Sequence, residues 1–228
     1  SNHILFNIGN RQGESGAVKD ACVTYTADGH VEGWVVTMPE YVKKYQPGAT
    51  VPLYFSAVMD KTPVSFGSYN GNSQKEGERE SKGVGAGMYF TFSNDKDETV
   101  TAKVGLSYTS VENARLNLET EAANLSFDDA KAESHRVWED YLSRITVETS
   151  KKEDKIKFYT GLYHALLGRG MANDVNGDYP RNDGTVGKLP MENGKPLYNV
   201  YNTDAAWGAQ WNLSQLWILA YPEYMTEY

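Results

Sequence analysis

Three tryptophans, Trp207, Trp211 and Trp217, recur in an apolar run that opens on Asp204, directly after a stretch from about Asn173 to Thr203 dense in Asn, Asp, Gly and Tyr. An indole in the first turn of a helix can stack on the apolar face of a flat ligand while a facing loop of amides and carboxylates takes its hydroxyl groups. A sugar is the ligand that such a wall fits best. Breaking a sugar bond takes two carboxyl groups flanking it, about 5–5.5 Å apart for retention and roughly 6.5–9.5 Å apart for inversion. Asp174, Asp178, Asp183 and Asp204 are candidate members of such a pair, and their spacing along the chain leaves the pairing open.

Plainer roles compete for the same residues. Asp204 equally suits an ordinary helix N-cap. Trp211 and Trp217, at helical spacing, are expected in the core, which leaves Trp207, one turn from the polar loop, as the platform. The loop is longer than usual connections, and such loops generally carry function or lack order; its tyrosines and a hairpin at Asn193-Gly194 favour order. Asp174, Asn176 and Asp178 alternate as in a calcium loop, yet the sixth position from Asp174 is Tyr179 rather than Gly and the twelfth is Thr185 rather than Glu, so the EF-hand pattern fails.

Other chemistries find little support. His3, His30, His135 and His164 fall into no HxH or HExxH spacing. The single Cys22 excludes an internal disulfide and a Cys-based zinc site, and is expected to be a small strand hydrophobe. No G-x-S-x-G, GxxxxGK[ST] or helix-opening GxGxxG occurs; Gly83-Val-Gly-Ala-Gly87 reads as a turn entering a strand. A net charge of −8 argues against a nucleic-acid partner, whose phosphates call for Lys and Arg. No apolar run reaches 18 residues, so no membrane span is expected. The opening residues Ser1 to Phe6 lack the basic start and apolar stretch of a signal peptide.

The elements that must position these residues change character near Ser110. Before it, short apolar runs alternate with turns: Ile4-Leu5-Phe6, Val31 to Met38, Val51 to Met59, Val64 to Tyr69, Gly87 to Phe92 and Val100 to Tyr108. In the last, Val100, Ala102, Val104, Leu106 and Tyr108 fall on alternate positions and predict one buried face. Asp28-Gly29, Asn70-Gly71 and the polar run Ser73 to Gly85 mark turns. This pattern predicts a β-sandwich. After Ser110, Ser126-Phe-Asp-Asp129 and Ser150-Lys-Lys-Glu153 are helix-start signatures, each followed by a helical apolar stripe. A third helix, about Asp204 to Tyr221, is apolar nearly all round and calls for neighbours on several sides; with so few other helices present, Tyr228 reads as a truncation.

The segments Val104 to Glu119, Trp138 to Ile145, Phe158 to Leu167 and Asp174-Val-Asn-Gly-Asp-Tyr179, with Val51 to Phe66 in the β half, resemble the glycoside hydrolase family 92 α-mannosidases. The resemblance covers essentially the whole chain. It implies a mixed β-then-α chain: a β-sandwich over residues 1–110, linker helices over 111–150, and the first helices of an (α/α)6 barrel over 151–228. It further implies a calcium-dependent, exo-acting enzyme that removes mannose from glycans with inversion, secreted or periplasmic, whose acid, base and calcium ligands lie beyond Tyr228. Trp207 matches the tryptophan of the family's Leu-Trp-Asp motif lining the mannose subsite, and Asp183 the Asp of its Gly-x-Asp-Gly region; Asp204 joins them as a substrate-binding candidate. The motif's Asp is Gly208 here and its Leu is Ala206, which keeps a noncatalytic glycan-binding relative as the alternative.

Overall fold

The structure, a computed structural model, describes residues 2–11, 16–93, 99–167, 170–201 and 206–227, with the side chains of 41–43, 206 and 207 excepted. It divides into two compact units, Ser1–Asn124 and Leu125–Tyr228.

The first unit contains β1 (His3–Asn7), β2 (Ala17–Tyr25), β3 (Val31–Met38), α1 (Glu40–Tyr45), β4 (Val51–Met59), β5 (Ser65–Asn70), β6 (Ser73–Glu76), β7 (Glu80–Lys82), β8 (Ala86–Thr91), β9 (Ala102–Ser107) and α2 (Val111–Glu121). Two antiparallel sheets form, of order β7-β2-β3-β4-β9 and β1-β8-β5-β6. Between them Val23, Val31, Phe55, Ala57, Met88, Phe90 and Phe92 make one core. Aromatic contacts bridge the layers: Phe6 stacks on Phe55, and Tyr25 meets Phe66 and Phe90 edge-on. This is the sandwich expected. Cys22 lies buried in β2, a strand whose alternation is broken by a bulge between Val18 and Asp20.

In β9 the expected burial is reversed. Gly105 and Ser107 are buried, whereas Val104 and Leu106 are 51% and 54% exposed. The cause is α2, which packs on the face opposite the core. A β-carbon on Gly105 would lie 2.7 Å from the Leu118 β-carbon, so only glycine lets the helix this close. Ser110 caps α2 by accepting from the Asn113 N–H, and Asn117 donates to the Leu106 carbonyl. Val104 and Leu106 share the face of their register partners Ala57 and Phe55, but at the sheet's edge the opposing layer does not shield them.

A polar cluster fastens α2 to this sheet. Arg115 donates to Glu32 at 2.6 Å and to Asp28 at 2.7 Å, and buried Ser56 donates to the same Glu32 oxygen while lying 3.0 Å from the His30 ring. Burial pushes the Glu32 carboxyl upward, but the hydrogen bonds from Arg115 and Ser56, with Arg115's charge, outweigh it and leave the acid below its ordinary value. The same guanidinium and Thr26 hold Asp28 well below the carboxylate range. A depressed folded-state pKa contributes stability that is complete above the unfolded value and disappears as pH falls through the folded one. Melts of wild type and Arg115→Gln are therefore expected to differ most at pH 6–8, with the gap shrinking progressively as pH falls below about 4. A gap independent of pH would contradict this role for Arg115.

The second unit contains α3 (Phe127–Ser143), α4 (Lys152–Leu166), the short strands β10 (Asp178–Pro180), β11 (Val186–Lys188), β12 (Met191–Glu192) and β13 (Lys195–Pro196), a 3-10 helix (Ala206–Trp211), α5 (Leu213–Ala220) and α6 (Pro222–Glu227). Ser126 forms the expected capping box with Asp129. Ser150 does not cap: α4 starts after Lys151, with no side-chain cap bond. The third helix is not continuous either, because the chain leaves 3-10 geometry at Asn212, and Pro222 both ends α5 and opens α6, where its missing N–H costs nothing. Trp217 and Tyr221 are fully buried with Leu162, packed by Tyr141, Leu142, Ile145 and Phe158. Trp211 is 71% exposed, contrary to expectation. The break in helical phase between 211 and 213 turns it away from the Trp217 face. Leu219 is 83% exposed, so α5 presents an apolar face that the described residues leave uncovered. No helix among the described residues is long and apolar enough to cross a membrane.

Candidate functional site

The polar loop is ordered by a zip between its ends. Met171 bridges Tyr201, the Ala172 N–H donates to the Val200 carbonyl, and the Val200 N–H donates to the Asn173 side-chain oxygen at 2.8 Å. Asn199 and the Tyr201 hydroxyl both donate to Glu227 of α6, at 2.9 and 2.7 Å. Burial, then the bond to Glu227, pushes the Tyr201 hydroxyl up, so it stays protonated and remains a donor. None of these partners announces itself in the sequence, since the paired residues stand 26 to 30 positions apart. The one available signal was amide and tyrosine density on both sides of the loop.

Inside the zip, Asp174 is 2% exposed. Its carbonyl accepts from the Gly177 N–H and its own N–H donates to Asp178, closing a tight turn that Gly177 completes at φ +84°. Asp178 is occupied by Lys188 at 2.9 Å and by Asn176 at 3.0 Å. β10 and β11 then form a hairpin in which the Tyr179 ring covers Gly187, where a β-carbon would collide with it. The Asn193-Gly194 turn joins β12 and β13, both residues at positive φ, as expected.

Asp183 stands exposed at the tip of the β10–β11 hairpin. One carboxylate oxygen accepts from the Thr185 hydroxyl at 2.6 Å and the Thr185 N–H at 3.0 Å; these two bonds hold its carboxyl below the ordinary value, and it is an anion at neutral pH. Trp207 belongs by its backbone to the 3-10 helix, its side chain lying outside the described residues, as Asp204 does altogether. Behind that helix the scaffold is firm. The Trp217 indole N–H donates to the Ala165 carbonyl, the Tyr221 hydroxyl donates to the Tyr141 carbonyl, and Arg144 lies over both tyrosine rings while pairing with Glu223 and Asp140.

Among the described residues no three His, Cys, Asp or Glu side chains converge as an ion would require, and Asp178 is already paired with a lysine.

The chain is thus a β-sandwich unit followed by a helical unit in which a long polar loop precedes a tryptophan-bearing 3-10 helix. Two family models match it in tandem, the glycosyl hydrolase family 92 N-terminal domain over residues 1–107 and the family 92 catalytic domain over 113–228. The chain belongs to glycosyl hydrolase family 92. Solved structures share its fold. The family 92 glycosyl hydrolase ccman5 matches with a TM-score of 0.80 at 21% identity, over 99% of this chain and 28% of that one. Two proteins of Bacteroides thetaiotaomicron follow: the α-mannosidase BT3965, at 0.74 and 22% over 88% and 26%, also solved in complex with mannoimidazole, and the inverting mannosidase BT2199, at 0.75 and 21% over 92% and 27%. The chain thus spans about a quarter of the length of the structures it matches. No curated protein matches it.

Proposed function

We propose that this chain is the sandwich-and-first-helices portion of an exo-acting, inverting α-mannosidase that trims glycans, secreted or periplasmic, with α3 to α6 leading into an (α/α)6 barrel. The tandem family match along one continuous chain carries the reading, and the exposed apolar face of α5 is the kind of surface that further barrel helices would cover. Trp207 would present its ring to the terminal mannose, with Asp183 and Asp204 as hydroxyl acceptors. Inversion needs one carboxylic acid to protonate the departing oxygen and a carboxylate to draw a proton from water on the opposite face. Both are assigned to residues beyond Tyr228, as are the ligands of the calcium on which the reaction would depend.

The test is hydrolysis by the complete polypeptide carrying this chain, assayed on α-mannosides, α-glucosides and α-galactosides. Release of mannose alone, abolished by EDTA and restored by calcium, is expected. Release of no monosaccharide from any of them would remove the enzyme reading. The second reading, a glycan binder without catalysis, is favoured by Gly208, which leaves the residue after Trp207 without a carboxylate; glycan binding without turnover would establish it.

A further inference from the structure

The outer face of the four-stranded sheet carries a feature that the core does not require. In the antiparallel pair β5–β8, Gly67 is the register partner of Tyr89 and Gly87 that of Tyr69. Each tyrosine reaches across its partner glycine: a β-carbon on Gly67 would sit 2.5 Å from the Tyr89 hydroxyl oxygen, and one on Gly87 would sit 2.1 Å from the Tyr69 Cζ. Glycine weakens a strand interior, and here it makes the room that the two tyrosine rings occupy over the sheet. Both rings border a hollow of about 610 Å³, within the roughly 300–1,000 Å³ of small-ligand sites.

Polar groups fringe the same hollow. The Tyr69 hydroxyl and the Asn10 amide both converge on the Asn7 side-chain oxygen, at 3.3 and 2.6 Å, and burial pushes the Tyr69 hydroxyl up, which keeps it a donor. His3, whose ring nitrogen lies 3.0 Å from the Thr91 hydroxyl, and Gln74, register partner of Tyr69 on β6, line the remaining rim. Aromatic rings suit the apolar C–H face of a pyranose, and amide, imidazole and phenol groups suit its hydroxyls.

We infer that this face is a binding platform for a hexose-containing glycan, with Tyr69 and Tyr89 as the stacking rings and His3, Asn7, Asn10 and Gln74 as hydroxyl partners. It rests on the sandwich geometry alone and is independent of the proposed hydrolysis.

Affinity electrophoresis of the full chain, in native gels containing soluble α-mannan or β-glucan, tests it. Retardation by at least one polysaccharide is expected, weakened tenfold or more in Tyr69→Ala and Tyr89→Ala and severalfold in the exposed rim variants His3→Ala and Gln74→Ala. The rim variants leave the rings in place, so they report on binding even if removal of a ring unsettles the sheet; a thermal melt of each variant separates the two effects. Unchanged mobility of the wild type in both gels, or retardation that survives in the Tyr69→Ala/Tyr89→Ala double variant, would overturn the inference. α-Mannoside hydrolysis by the complete polypeptide is expected to be the same with and without these substitutions, so loss of either property is read apart from the other.

Discussion

Trp217→Ala is expected to destabilise the second unit by about 3–5 kcal/mol, the range for removing a fully enclosed large aromatic side chain. Trp217 is 0% exposed, meets Tyr224 edge-on, packs against Leu162 and Tyr221, and spends its only donor on the Ala165 carbonyl. Substitution therefore leaves a cavity and strips a partner from the end of α4 in one step. Denaturant titration of wild type, Trp217→Phe and Trp217→Ala should show the phenylalanine variant in between, since it refills most of the space but cannot make the hydrogen bond. A loss below about 1 kcal/mol for Trp217→Ala, the size of an ordinary peripheral change, would contradict the assignment of this indole as the anchor of α5.

The second large effect concerns Trp207. In the complete polypeptide, Trp207→Ala is expected to lower kcat/KM for an α-mannoside about 30-fold, which corresponds to losing roughly 2 kcal/mol from an aromatic contact with the proposed sugar. Most of the change should appear in KM if the indole holds ground and transition states equally. Trp211→Ala supplies the control. Its side chain is largely exposed on the same 3-10 helix, and its removal should leave both constants within about twofold. Equal effects at the two positions would show that the helix, rather than a specific indole, matters to the sugar.

Particular residues show why some of this architecture can be read directly and some cannot. The signal of the sandwich strands is a short apolar run bounded by turns, as in Val31–Met38 and Val51–Met59. It fails in β2, where the bulge at Val18–Asp20 throws the alternation out of phase, and in β6 and β7, whose residues are almost all polar because the first is an exposed edge and the second buries only Ser81. β9 misleads for a different reason. Its apolar residues do share one face, but a helix covers the other, and Gly105 is the trace of that contact. Composition carries no record of which face a later helix will choose.

The helical half divides in the same way. The Ser126 capping box is local chemistry and appears as written. The split of the tryptophan helix at Asn212 is imposed by packing, so helical spacing placed Trp211 in the core with Trp217 when only Trp217 belongs there. At the candidate site, the long Asn- and Asp-rich loop before Trp207 was legible as a feature, and its order is explained by pairings among Asn173, Val200, Asn199, Tyr201 and Glu227. Long-range partners of that kind leave no spacing signature. Asp183 was legible as a carboxylate of the loop; its engagement with Thr185 at a hairpin tip was not.

The claim on which the account turns is that this family 92 chain belongs to an enzyme cutting α-mannosidic bonds by single displacement. Proton NMR of the complete polypeptide acting on an α-mannoside reads this directly, because the first sugar released is seen before mutarotation scrambles it. The account predicts β-mannose as the initial product; α-mannose as the initial product, or no free mannose at all, would contradict it.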